Sequence, residues 1–407
     1  MARQFEIPLF YRSPVISVLK QHRRESDRLK KDFTPSILDL GSVRFKLARH
    51  FGFCYGVENA IEIAYRAVRE NPDRRVFLLS EMIHNPHVNR DLMERGVRFL
   101  MKTDGTELFA FSDLTPEDVV IVPAFGTTVE MFKRLESLGI NPATYNTTCP
   151  FVEKVWNRAD DLGSQGYTII IHGFDNHEET RATFSHARRN APSVMIHNIE
   201  EARRLAEYIS GTRPAAQFNT DFPGRASAGF EPVRDLERIG VVNQTTMLAA
   251  ETQEISEFLR SVVALRRGPE NLSHFFADTR DTLCYATSEN QQSVYGLLES
   301  GGDLALVVGG YNSSNTSHLV ELCEVRLPTY YICDAEEILS RGEIRHLKLA
   351  DRKVVVSSDW LPEREPLDIL VTAGASCPDA LVDAVIQRVA SLAGVADRIE
   401  KALEVFA

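Results

Sequence analysis

Three cysteines of this 407-residue chain stand in one kind of setting, and that setting favours a metal-binding thiolate. Cys54 lies in FGFCYGVENAIEIAYRA, and Val57, Ala60, Ile61, Ala64, Ala67 and the following Val68 mark one face of a helix. Cys149 opens TTCPFVEKVWNRADDL, with Val152, Val155, Trp156, Ala159 and Leu162 on one face and Pro150 suited to the first helical turn. Cys284 opens DTLCYATSENQQSVYGLLES, with Val294, Leu297 and Leu298 on the core side. At a helix start the unpaired N–H groups and the dipole stabilise a thiolate. The repetition points to three thiolates built alike for one metal centre. Zinc would be satisfied by three cysteines and a histidine. An iron–sulfur cluster normally takes four cysteines, so three would leave one iron of a 4Fe-4S cluster without a protein ligand and open to a substrate oxygen. The competing reading of each cysteine is a small buried hydrophobe. That reading is the expected one for Cys323 in HLVELCEV and for Cys333 in a strand. Cys377, between Ser376 and Pro378, is the residue that would close the cluster as a fourth ligand and suit the protein to electron transfer instead.

Polar residues cluster after short β-branched runs. RVFLL (75–79) is followed by SEMIHNPHVN with His84 and Asn85, and VVIV (119–122) by PAFGTT. YTIII (167–171) is followed by HGFDNHEET with His172, His177 and Glu179, and IGVV (239–242) by NQTT with Gln244, Thr245 and Thr246. LALVV (304–308) is followed by GGYNSSN with Ser313, Ser314 and Asn315, and LDILVTA (367–373) by GASCP with Ser376. In parallel α/β sheets ligands bind beyond the carboxyl ends of strands. NSSN offers hydroxyls, amides and a backbone able to nest an anion, though a polar turn has the same composition. Together with His84 and His177 these loops suggest a pocket for a phosphate-bearing ligand, and no G-x-x-x-x-G-K-[ST] motif points to a nucleotide. Glu179 is the candidate acid; its alternative is an exposed first-turn glutamate favoured by the helix dipole.

The elements that must position these groups alternate strand and helix from Val43 onward, with further strands at 193–197, 329–333 and 353–357. A parallel α/β architecture follows. The length predicts several domains. The pattern divides into an N-terminal arm (1–42) and α/β domains at 43–145, 146–280 and 281–407, which carry Cys54, Cys149 and Cys284 in turn. Residues 214–232, rich in Pro, Gly and Ala, read as an inserted loop. The composition, 43% hydrophobic and 25% charged, is that of a globular chain, and no apolar run has the length of a membrane span. A net charge of −11 argues against nucleic acid as the main partner. Six cysteines without a secretory signal suit a reducing compartment. The basic stretch LKQHRRESDRLKK reads as part of a family-specific arm or, alternatively, of an organellar transit peptide.

Eight of these blocks, from GFCYGVENAIEIAYRA through IHNPHVNRDLMERGVRF, NTTCPFVEKVW, HGFDNHEET, NQTTMLAAET, DTLCYATSENQQSV and VVGGYNSSNTSHL to VTAGASCPDALV, closely resemble the 4-hydroxy-3-methylbut-2-enyl diphosphate reductases of the LytB/IspH family. The match covers roughly residues 43–395 in order and looks most like the cyanobacterial and plant-plastid branch. The resemblance implies three small parallel-sheet α/β domains in a pseudo-threefold arrangement around a central 4Fe-4S cluster held by Cys54, Cys149 and Cys284. It implies diphosphate contacts from His84, His177, Ser313, Ser314, Asn315 and Ser376, proton delivery by Glu179, and positioning of the hydroxyl end by Thr245. The implied reaction is a two-electron reductive dehydroxylation giving isopentenyl and dimethylallyl diphosphates, the last step of the non-mevalonate (MEP) isoprenoid pathway, with ferredoxin or flavodoxin as donor. The setting would be the cytoplasm, or the plastid stroma in a photosynthetic eukaryote, with no membrane or nucleic-acid partner. Many family members carry A-H-G where this chain reads A-F-G, so Phe125 removes one phosphate contact that Thr127 or Thr128 is expected to supply. Two other classes stay open on residue types alone: an iron–sulfur hydro-lyase, and a non-enzymatic iron–sulfur carrier or sensor.

Overall fold

The structure is a computed structural model and describes residues 5–277 and 282–406. Two compact units divide the chain. One comprises Met1–Glu58, His84–Val88 and Tyr285–Ala407, and the other Asn59–Ile83 and Asn89–Cys284.

The first unit is built on a seven-stranded sheet in the order Ser36–Asp39, Val43–Leu47, Leu367–Ala373, Leu304–Val308, Thr329–Ile332, Glu343–Lys348 and Lys353–Ser358. Its middle four strands, from Val43–Leu47 to Thr329–Ile332, are mutually parallel, and the outer pairings are antiparallel. Leu304–Val308 is buried along its whole length, as expected for a strand covered on both faces. The N-terminal helix Pro14–Ser26, capped by Ser13, puts Val15, Ile16 and Leu19 into the same core as Val382 and Val385 of the helix Asp379–Leu392. Val15, Ile16, Leu19 and Leu38 thus tie the N-terminal arm into this core.

The second unit holds two four-stranded parallel sheets. One runs Arg98–Phe99, Val76–Leu78, Val119–Val122, Tyr145–Asn146. The other runs Phe276–Ala277, Ile239–Asn243, Thr168–His172, Ser193–Ile196. The helix Pro150–Ser164 lays Val155, Ala159 and Leu162 against Ile169, Ile171 and Val242 of that second sheet.

The three parallel sets share one strand order. A strand leading to a cysteine lies at one side: Val43–Leu47 before Cys54, Tyr145–Asn146 before Cys149, Phe276–Ala277 before Cys284. The expected divisions at 43 and 146 place Val43–Leu47 and Asn146 in the domain of the cysteine that follows, whereas each parallel set takes up the strand before its cysteine. For the first domain the difference is largest, because Val43–Leu47 pairs with Leu367–Val371 and so completes the C-terminal sheet. The division expected between 280 and 281 lies outside the described residues. The stretch 214–232 also departs from a loose loop: Phe218, Phe222 and Phe230 are buried, and Phe218 stacks on Phe230 with centroids 4.8 Å apart. Scattered aromatics without periodicity hid this small core from a reading based on Pro and Gly.

Candidate active site

Cys149 is the N-cap of Pro150–Ser164, with Pro150 in the first turn; Cys54 and Cys284 directly precede the helices Tyr55–Glu70 and Tyr285–Glu299. Each cysteine is tied in the same way to a neighbouring strand end. The Cys54 N–H donates to the Ala375 carbonyl (3.3 Å), Cys149 to Ala124 (2.9 Å) and Cys284 to Thr245 (3.4 Å). Each acceptor lies two residues past the end of the adjacent strand, at Ala373, Val122 and Asn243. The three settings are therefore equivalent in hydrogen bonding as well as in sequence. None of the three cysteines is in a disulfide, and Cys54 and Cys149 are half-buried.

The other cysteines are differently placed. Cys377 is fully buried, its thiol faces the Pro378 carbonyl at 3.6 Å, and burial pushes its pKa up. Burial likewise pushes Cys323 and Cys333 up to about 12. Cys333 lies just past the strand Thr329–Ile332 rather than within it.

In the second unit, Glu179 sits in the first turn of the helix Glu178–Ala187 and is 1% exposed, so the surface alternative does not hold. A buried carboxylate is costly unless hydrogen-bonded. Thr245 meets that need twice: its N–H donates to Glu179 Oε1 (2.5 Å) and its hydroxyl to Oε2 (2.9 Å). His177 is the N-cap of the same helix, and its Nδ1 accepts the Glu179 N–H at 3.2 Å. A neutral imidazole with Nδ1 accepting carries its proton on Nε2. Phe125 packs against this ring, centroids 5.6 Å apart at 85°. Its neighbour Gly126 lies at φ +74° beneath Trp156, which stacks on His186 with centroids 3.8 Å apart. Thr128 Oγ1 caps the helix Val129–Ser137, accepting from Met131 N at 3.2 Å, while Thr127 is buried and its carbonyl lies 3.3 Å from His186 Nε2. Gln244 braces the loop of Thr245: its Oε1 accepts from Thr180 Oγ1 (2.9 Å) and Phe174 N (3.2 Å) and its Nε2 donates to Thr246 Oγ1 (2.7 Å).

In the first unit, His84, the NSSN segment and Ser376 come together. Ser376 Oγ donates to the His84 carbonyl (3.2 Å), and Asn312 Nδ2 lies 3.3 Å from His84 Nδ1. Ser313 caps the helix Ser314–Glu324, its hydroxyl accepting from Thr316 N (3.3 Å) and from Thr316 Oγ1 (2.9 Å). Asn315 Oδ1 accepts the Ala375 N–H at 2.9 Å, which leaves its Nδ2, buried and without a hydrogen-bond partner, as a donor for a ligand. A Cβ on Gly374 would run into the Thr316 hydroxyl, so the backbone of the Ser376 loop approaches this helix start as only glycine allows. Exposed N–H groups at a helix N-terminus bind anions, and phosphate oxygens suit these donors. Thr316 was not among the residues singled out from sequence; the S-x-x-T spacing from Ser313 is the signal that marks it.

A family model described as LytB protein matches residues 45–390. The chain belongs to the LytB family. Its relatives in the family include the 4-hydroxy-3-methylbut-2-enyl diphosphate reductase of Gloeobacter violaceus, 41% identical over 360 residues, which are 88% of this chain and 85% of that one. The enzyme of the same name from Thermosynechococcus vestitus is 40% identical over 357 residues, 88% of this chain and 86% of that one. A solved structure of (E)-4-hydroxy-3-methyl-but-2-enyl diphosphate reductase, described as the terminal enzyme of the non-mevalonate pathway, aligns with TM-score 0.51 and 25% identity over 85% of this chain and 98% of that one. The fold is also that of the Plasmodium falciparum E-1-hydroxy-2-methyl-but-2-enyl-4-diphosphate reductase, with TM-score 0.60 and 19% identity over 86% of this chain and 88% of that one. LytB membership brings a metal–sulfur cofactor, and the donor set fits one: three thiols outside disulfides, equivalently tied at helix starts. Among the described residues no helix is long and apolar enough to cross a membrane.

Proposed function

We propose that this chain is a 4-hydroxy-3-methylbut-2-enyl diphosphate reductase, which removes the substrate hydroxyl as water with two electrons and two protons and yields isopentenyl and dimethylallyl diphosphates. The observation that carries the reading within a LytB chain is the buried Glu179, oriented by two hydrogen bonds from Thr245. Cys54, Cys149 and Cys284 would hold a 4Fe-4S cluster with one iron lacking a protein ligand, and that group supplies electrons and Lewis acidity for breaking the C–O bond. Glu179 gives its proton to the departing oxygen, since hydroxide is a poor leaving group. Thr245 fixes the carboxyl through its N–H and hydroxyl. The diphosphate is held by His84, His177, Ser313, Ser314, Asn315 and Ser376, with the Asn315 amide among the donors. Binding energy from this remote, highly charged group positions the reacting carbon. Phe125 offers no hydrogen bond, and the Thr128 oxygen already serves as a helix cap, so Thr127 takes over the missing contact. Thr127→Val then raises KM, and an unchanged KM withdraws that assignment. The electrons come from ferredoxin or flavodoxin.

The test is anaerobic turnover of the hydroxymethylbutenyl diphosphate with and without a reduced donor, alongside iron and sulfide analysis. Turnover that requires the donor supports the reductase. Equal turnover without it would identify a hydro-lyase instead.

A further inference from the structure

The reaction consumes two electrons per turnover, so on the reading above some face of the chain receives an electron carrier. In the first unit a cleft of about 280 Å³ runs alongside Cys54. Its walls come from residues 49–55, from the N-terminal helix with the turn after it, and from the start of Tyr285–Glu299. The cations Lys20, Arg24, Arg28, Lys30 and Arg49 line it, against the carboxylates of Asp27 and Glu289. This basic cleft stands out on a chain whose net charge is −11.

The charges sit on a fixed frame. Ile16 and Leu19 anchor the helix in the core, and Lys20 binds Asp379 (2.6 Å) and the Phe51 carbonyl (2.9 Å). Lys30 pairs with Glu289 at 3.2 Å and Arg49 with Asp27 at 3.5 Å. Arg24 and Arg28 are exposed and enter none of these pairs. Two exposed aromatics, Tyr55 and Tyr285, complete the lining, a residue type enriched in protein interfaces.

We propose that this cleft is the docking surface for a small acidic electron-carrier protein, with Arg24 and Arg28 of the N-terminal segment supplying the recognition charge. The inference rests on the reductase reading. Electron transfer weakens steeply with distance, so a surface beside a cluster ligand is where a carrier is useful, and opposite charge steers it there. Over one turnover the carrier is oxidised by two electrons in total, two protons are taken up, one C–O bond breaks, one C–H bond forms and water leaves.

The experiment compares the intact, cluster-loaded protein with Arg24→Glu/Arg28→Glu, using an acidic 2Fe-2S ferredoxin as probe. Calorimetry with the oxidised ferredoxin, which needs no turnover, should show Kd raised roughly tenfold or more at low ionic strength. The difference should vanish near 1 M salt, where screening acts within about 3 Å. KM for the reduced ferredoxin rises in parallel, turnover with a reduced viologen dye is unchanged, and Arg24→Lys/Arg28→Lys restores binding. An unchanged Kd and KM would overturn the proposal, as would an equal loss of dye-driven turnover. Absence of dye-driven turnover in the unmutated, cluster-loaded protein would instead sink the reductase reading.

Discussion

Glu179 and Thr245 stand 66 positions apart in the chain, yet two hydrogen bonds join them and both are buried. Glu179→Gln keeps the shape but removes the proton, so substrate affinity should persist while kcat falls by about 10²–10⁴-fold; full turnover would take Glu179 out of the proton path. Ser376→Ala deletes the hydroxyl that donates to the His84 carbonyl and should act mainly on KM. The cysteines separate by the same residue-level logic. Cys54→Ala should lose iron and sulfide, whereas Cys377→Ala should keep both, because a fully buried thiol whose pKa is pushed up is a poor ligand. Thiol titration at pH 8 of the folded, cluster-free protein should leave Cys323 and Cys377 unreacted until denaturant is added. Residue types at strand ends foretell the grouping of His84, the NSSN segment and Ser376, since strand-end loops are where such polar groups collect. They do not foretell that Thr245 would be the partner of Glu179.

At the scale of elements, one unit recurs: a strand, a short link, a cysteine at a helix start, and a backbone hydrogen bond to the next strand's end. The helix starts are legible because Pro150 and the apolar spacing act within a turn or two. The segment 214–232 is not, since its order comes from Phe218, Phe222 and Phe230 packing with Tyr208 and Leu205 of the helix Ile199–Ser210. Phe218→Ala should therefore destabilise the second unit by about 3–5 kcal/mol, readable as a lower Tm. A true loop would tolerate the change.

At the scale of the whole chain, the N-terminal segment is part of the first unit's core. Val15, Ile16, Leu19, Leu38 and Leu40 are buried there. At ~1.5–3 kcal/mol for each such side chain their burial rivals the net stability of a domain. A chain starting at residue 43 should then lose the cooperative unfolding of this unit, as followed by calorimetry; an unchanged transition would show that the segment is dispensable. By itself the sequence determines the family, the α/β class, the three cysteines at helix starts and the polar strand-end loops. These depend on residue type and on spacings of a few positions, which neighbours along the chain enforce. Tertiary structure alone decides that the strand beside Cys54 pairs with Leu367–Val371, that Glu179 is buried against Thr245, and that Cys377 belongs to the core. Each of these is a contact between segments far apart in the chain, set by packing and backbone pairing that no local pattern encodes.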